Sequence, residues 1–209
     1  NLSAEAFKAL LDDAGLTPVS AHVAVENLFG DLDAAIAEVQ CFGVEYAVVP
    51  WLGPELCPDR DAWLAAIARI DEAGARFRAE GLRLCYHNHD HEFETLDGKH
   101  IFDIIFEHSS PEHLGVELDT CWAQVGGVDP TSLMARYGKR IALLHLKDYA
   151  RSESGEVVFK ELGQGCMDWN KVLEAAGPCG VAWYIVEQDE SETDSLESAQ
   201  ANAAFMKRA

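Results

Sequence analysis

The sequence predicts an α/β fold, and within that class a (β/α)₈ TIM barrel of which six βα units are visible. Three observations carry this expectation. Short apolar, β-branched runs alternate with helical patterns. The runs are apolar at consecutive positions, as strands covered by helices on both faces are. A polar or ionisable residue stands at or near the C-terminal end of each run, the end at which a barrel gathers its chemistry.

In chain order, "NLSAEAFKALLDDAGL" reads as a helix, with Ser3 as N-cap and Gly15 as its stop. Strands are then expected over 17–23, 46–52, 82–89, 114–119, 141–148 and 182–188. Helices are expected over 31–43 and 61–81, the second with Trp63, Ile67 and Ile70 at helical spacing and a closing Gly. A doubly wound nucleotide fold would place a Gly-rich turn after its first strand, and neither GxGxxG nor GxxxxGK[ST] occurs. A six-unit open sheet is the alternative to the barrel. Because the chain opens on a helix and a complete barrel takes about 250 residues, residues 1–209 read as a single barrel domain, N-terminally incomplete and lacking its first two strands. The edges so exposed would need a partner, which makes a homo-oligomer an expectation.

Composition narrows the function. A formal net charge of −20 repels phosphate backbones and anionic membranes, so no nucleic-acid partner is expected. No apolar run reaches the ~20 residues of a membrane span, so no membrane partner is expected. Six cysteines without a CxxC pair read as reduced thiols of a cytoplasmic protein.

The strand-end residues are His22, Trp51, His87, Asp119, His145 and Glu187, each about one βα unit (~30 residues) from the next. Residues two apart on a strand share a face, which pairs His87 with Cys85 and His89, Asp119 with Glu117, and His145 with Leu143 and Lys147. With His87 facing the barrel interior, two imidazoles and the carboxylates of Asp119 and Glu187 converge on an open site for one divalent metal. Mixed nitrogen and oxygen donors suit Mn²⁺, Co²⁺, Fe²⁺ or Zn²⁺ better than Mg²⁺ or Ca²⁺. His91, His100, His108 and His113 are expected at the surface. The acidic run 187–198 is expected to be a solvated loop and helix start, Glu187 apart, and the GQG of "ELGQGCMDW" a plain turn.

The segments "VSAHV", "YHNHDHEF", "GVELDTCW", "LLHLKD", "ELGQGCMDW" and "YIVEQDE" together resemble the sugar phosphate isomerase/epimerase superfamily of xylose isomerase-like barrels, which includes inosose dehydratases and ketose 3-epimerases. In the related epimerases Glu, Asp, His and Glu hold one metal. The resemblance maps the last three onto Asp119, His145 and Glu187, and His87 replaces the first Glu. It implies an isomerase or epimerase that abstracts a proton beside a metal-polarised carbonyl of a small polyhydroxylated substrate, with Glu187 as proton acceptor. The second proton carrier stays open between His89, on the His87 face, Lys147 and Glu92, with His89 or Lys147 preferred. Substrate contacts are implied for Glu92, Trp122 and Arg151, and His22 and Trp51 could bind or stack on a sugar ring. A metal-dependent lyase or dehydratase using the same enediolate is the runner-up, favoured by the exchange of Glu for His87. A non-catalytic sugar-binding module and an abasic-site endonuclease are the further alternatives, the latter opposed by the negative charge.

Overall fold

The computed structural model describes residues 2–192 and 194–208. The chain forms two compact units: residues 1–88 with 94–116, and residues 89–93 with 117–209.

The first unit begins with α1 (Ala4–Asp13), where the Ser3 side chain accepts a hydrogen bond from the Ala6 amide, and the turn after it passes through Gly15 at φ 68°. There follow β1 (Ser20–His22), α2 (Val25–Gly30), α3 (Leu32–Phe42), β2 (Tyr46–Val49), α4 (Arg60–Ala79) and β3 (Arg83–His87). β1, β2 and β3 pair in parallel, with His22 opposite Val48 and Val49 opposite Tyr86. Ala47, Val48, Val49, Leu84, Cys85 and Tyr86 are fully buried, which is why these runs lack a polar face.

Asp59 caps α4 by accepting from the Ala62 amide. Trp63, Ile67, Ile70 and Phe77 form its buried stripe, each worth about 1.5–3 kcal/mol in apolar surface removed from water. Gly74 lies in that stripe because a Cβ there would stand 2.3 Å from the His113 carbonyl oxygen. The unit continues with the hairpin strands β4 (Thr95–Leu96) and β5 (Lys99–His100), turned by Asp97 and Gly98 at positive φ, the Asp-Gly chemistry of a two-residue turn. It ends with α5 (Ile101–Glu107) and the first three residues of β6 (Leu114–Asp119).

The second unit holds the rest of β6, then α6 (Thr120–Val125), α7 (Pro130–Tyr137), β7 (Ile141–Leu146), β8 (Asp148–Arg151), β9 (Val157–Lys160), α8 (Trp169–Ala176), β10 (Trp183–Val186) and α9 (Ser195–Met206). β7 is buried at all six positions and pairs in parallel with β10, His145 opposite Ile185. The Glu187 amide donates to the Leu146 carbonyl at 3.2 Å, so the pairing runs one residue past β10 and fixes Glu187 at the strand end.

All six expected strands and the three expected helices are present, although β2 stops at Val49 and leaves Trp51 beyond it. Two further features depart from the sequence reading. The strand expected over 82–89 stops at His87, and residues 91–93 form a 3₁₀ turn, so the alternation that placed His89 on the face of His87 does not extend to it. The run read as one strand to 148 is β7 followed by the antiparallel hairpin β8–β9, with Tyr149 opposite Phe159. Among the described residues no helix is long and apolar enough to cross a membrane, and no disulfide joins the cysteines.

Candidate active site

The second unit gathers an acidic cluster around two cations. Asp119 ends β6 and caps α6: its Oδ1 accepts from the Trp122 amide at 2.8 Å, and its Oδ2 lies 3.4 Å from Lys147 Nζ. His145 stands between two carboxylates, with Nε2 3.2 Å from Glu117 Oε2 and Nδ1 3.1 Å from Glu187 Oε2. Its carbonyl accepts from Thr120 Oγ1 at 3.1 Å, which ties β7 to the start of α6. Lys147, fully buried, reaches Glu187 Oε2 at 2.9 Å and both oxygens of Asp189 at 2.9 and 3.0 Å. Glu187 Oε2 is thus shared by His145 and Lys147.

These contacts set the protonation states of the metal-free chain. Burial works against a charge on His145, but hydrogen bonds to Glu117 and Glu187, with the field of Asp119, outweigh it and hold its pKa up at about 10. Glu187 is held well below the usual carboxylate range, first by the His145 hydrogen bond and then, against its burial, by Lys147. Burial also opposes the charge on Lys147, and the surrounding Asp119, Asp189 and Glu187 raise its pKa above the ordinary lysine value.

By formal charge, four carboxylates (Glu117, Asp119, Glu187, Asp189) face two cations, an excess of two negative charges in a largely buried cluster. Ligand atoms of Asp119, His145 and Glu187 lie within 4.8 Å of one another. Two carboxylates and an imidazole at that spacing, in a cluster short of positive charge, fit a divalent ion with mixed nitrogen and oxygen ligands.

Aromatic rings wall the cluster. Lys147 Nζ is 5.4 Å from the Trp122 ring centroid and 5.5 Å from that of Phe159, and the two rings meet edge to face at 5.7 Å. His89 packs on Trp122 at 5.8 Å. Glu92 is fully buried; its Oε2 accepts from the His89 amide at 2.8 Å and its Oε1 lies 3.1 Å from His91 Nε2. It organises the turn that carries His89.

Phe159 is brought to this wall by the β8–β9 hairpin, which Asp148 anchors. Asp148 Oδ1 accepts from the Tyr149 and Met167 amides at 2.9 and 3.1 Å, and Oδ2 from the Gly163 amide and Trp169 Nε1, both at 2.8 Å. A Cβ at position 165 would lie 2.1 Å from Asp148 Oδ1, so the GQG segment is more than a plain turn: it needs glycine for the backbone to close on this carboxylate.

The second unit thus brings together Asp119, His145, Glu187 and Lys147, with Trp122, His89 and Glu92 alongside. Arg151 lies instead in the hairpin, where it donates to the Gly155 carbonyl at 2.9 Å and closes the turn. In the first unit the His22 and His87 rings lie 5.7 Å apart. Trp51 is 42 % exposed and donates to Glu55, so it is not a core residue.

Of the histidines expected at the surface, His91 is largely covered and pairs with the buried Glu92, whereas His113 is partly exposed and pairs with Asp71 at 2.9 Å. Glu117, Asp189, Asp148 and Phe159 were given no role in the sequence reading. Glu117 and Asp189 each stand two residues from a ligand-type residue, a spacing that could have found Glu117; Asp189 is hidden in the acidic run, which otherwise supplies the Asp194 cap of α9.

Against known proteins, residues 1–209 match the family described as xylose isomerase-like TIM barrel. The chain belongs to that family. Among curated relatives, it is 25 % identical over 156 residues to an inosose dehydratase of Lacticaseibacillus casei, covering 66 % of this chain and 52 % of the relative, so the chain spans about half the length of that protein. Among solved structures, a sugar phosphate isomerase/epimerase from Parabacteroides distasonis superposes with a TM-score of 0.82 at 23 % identity, over 97 % of this chain and 80 % of the other. The IOLI protein with a bound zinc atom superposes at 0.74 and 15 % identity, over 100 % and 81 %. At these identities the structural likeness establishes the fold.

Proposed function

We propose that this xylose isomerase-like chain is a divalent-metal-dependent lyase of the dehydratase type, which removes the proton beside the carbonyl of a small, unphosphorylated polyhydroxylated ketone and expels a β-hydroxyl as water. The observation that carries the reading is the shared oxygen of Glu187, on which a base, a ligand-type imidazole and a fixed cation converge. Asp119, His145 and Glu187 would hold the ion, with His87 as fourth ligand on the strand-end argument from sequence; Mn²⁺, Co²⁺, Zn²⁺ and Fe²⁺ all suit this set. The ion, when bound, polarises the substrate carbonyl and lowers the cost of enolisation.

The chain's own groups divide the remaining work. Glu187, ionised at neutral pH, accepts the α-proton. Lys147 keeps its proton under three carboxylates and so serves as a fixed cation that steadies negative charge on the substrate oxygen, rather than as a proton donor. His89 delivers the proton that the departing hydroxyl needs, and the products are an unsaturated ketone and one water, with no change of oxidation state overall. Trp122 offers an aromatic face to the substrate, and His22 and Trp51 are further substrate contacts. An unphosphorylated substrate is favoured because Lys147 is already matched by carboxylates and Arg151 is tied to its hairpin turn. The similarity to inosose dehydratases supports elimination.

Isomerisation or epimerisation is the second reading, supported by the sugar phosphate isomerase/epimerase neighbour. Epimerisation would return the proton to the same carbon from a group on the other side of the substrate, whereas Lys147 contacts the same oxygen as Glu187 uses; isomerisation would return it to the neighbouring carbon from Glu187 itself. Proton NMR in D₂O with Mn²⁺-loaded protein and an inosose or a ketohexose separates the two. Elimination gives an unsaturated product lacking one water; isomerisation or epimerisation gives deuterium at the α-carbon with no water lost. Neither signal on either substrate class contradicts the proposal.

A further inference from the structure

We propose that Glu117 is a positioning residue for the metal site: it holds His145 through Nε2 so that Nδ1 is the nitrogen presented to the ion. This rests on the metal reading above and adds to it a role for a residue outside the ligand set.

An imidazole has two diverging nitrogens, and which one binds a metal is set by the hydrogen bond made at the other. Here the two sides of the His145 ring differ. Nε2 faces Glu117 Oε2 at 3.2 Å, and Glu117 is fully buried. Nδ1 faces Glu187 Oε2 at 3.1 Å, and the Glu187 side chain is 40 % exposed, the side from which a substrate can approach. Lys147, which contacts both Asp119 and Glu187, shares that Glu187 oxygen and so belongs with the Nδ1 side. Glu117 lies two residues before Asp119 on β6, on the same face but one step further from the C-terminal strand end, so the two carboxylates sit at different depths. The deeper one meets the ring from behind.

The backbone of His145 is fixed as well, through Thr120 Oγ1 on its carbonyl. With the main chain pinned and Nε2–H donated to Glu117, rotation of the ring is blocked and Nδ1 is left directed at the Glu187 oxygen. A carboxylate behind a ligating histidine also raises the basicity of the ligating nitrogen, and losing one typically costs about 10–100-fold in metal affinity.

The test uses the full chain labelled with [¹⁵N]histidine and loaded with Zn²⁺, His145 being assigned by its loss in His145→Gln. Long-range ¹H–¹⁵N correlation is expected to show Nδ1 carrying the metal shift and Nε2 protonated. Zn²⁺ affinity is expected to fall by about 10-fold in Glu117→Gln, whose carbonyl can still accept from Nε2–H, and by about 100-fold in Glu117→Ala. Zinc on Nε2, or an affinity of Glu117→Ala within about twofold of wild type, overturns the inference. The wild-type spectrum decides even if the variants fail to fold. A wild-type chain that takes up no Zn²⁺ overturns the metal reading itself, a different result from zinc bound through the wrong nitrogen.

Discussion

Replacing Asp148 by Asn tests how firmly the hairpin and the GQG loop are held beside the site. The carboxylate accepts four hydrogen bonds, two on each oxygen, from three amides and one indole. Asn exchanges one oxygen for an NH₂ that can only donate, so two donors lose their acceptor whichever way the amide turns. Hydrogen bonds to a charged group contribute about 1.5–3 kcal/mol each, which puts the loss at about 3–6 kcal/mol. In a domain of this size 1 kcal/mol moves Tm by roughly 2–4 °C. Asp148→Asn should therefore melt roughly 6–24 °C below wild type when followed by far-ultraviolet circular dichroism. A Tm within about 2 °C of wild type would refute the anchoring role.

Lys147→Met should lower the Tm of the metal-free chain by roughly 10 °C, since breaking a pair buried at both ends costs about 3–5 kcal/mol; the partly exposed Glu187 and Asp189 add little. Added Mn²⁺ should recover part of that loss, and a metal-free variant that melts with wild type would remove the charge-balancing role given to Lys147. Metal affinity should rise about tenfold per pH unit up to about pH 10, because the ion must displace a proton that His145 holds until then; an affinity flat across neutral pH would contradict this. In the metal-free chain the sign is opposite. His145 has a pKa raised from 6.5 to about 10, so its stabilising contribution is complete below about pH 6.5 and lost as pH rises through about 10, which urea titrations across that range would detect.

Much of this site was legible because strands obey a period of two and end where a barrel opens. Asp119, His145 and Glu187 each follow an apolar run, and position alone singled them out. His89 was misplaced on the β3 face because nothing local marks the end of that strand at His87. The β8–β9 hairpin was hidden because only Lys147 separates β7 from β8, with no Gly or Pro to mark the break, and Phe159 disappeared with it. The pairing of His113 with Asp71 on α4 is one that no local pattern encodes. Asp148 looked like one more acid, since its four donors come from a loop that closes only in three dimensions. Glu117 shares a face with Asp119 by strand alternation, but its place behind His145 is set only by the fold.

Everything proposed for this chain depends on the strand-end residues holding one divalent ion. That binding is tested most directly by measuring the metal content and Mn²⁺ or Co²⁺ affinity of the purified chain, with Asp119→Asn, Glu187→Gln and His87→Ala beside wild type. About one ion per chain is expected, with at least about a tenfold loss of affinity in each variant. No bound ion in the wild type, or affinities unmoved by all three substitutions, would contradict it.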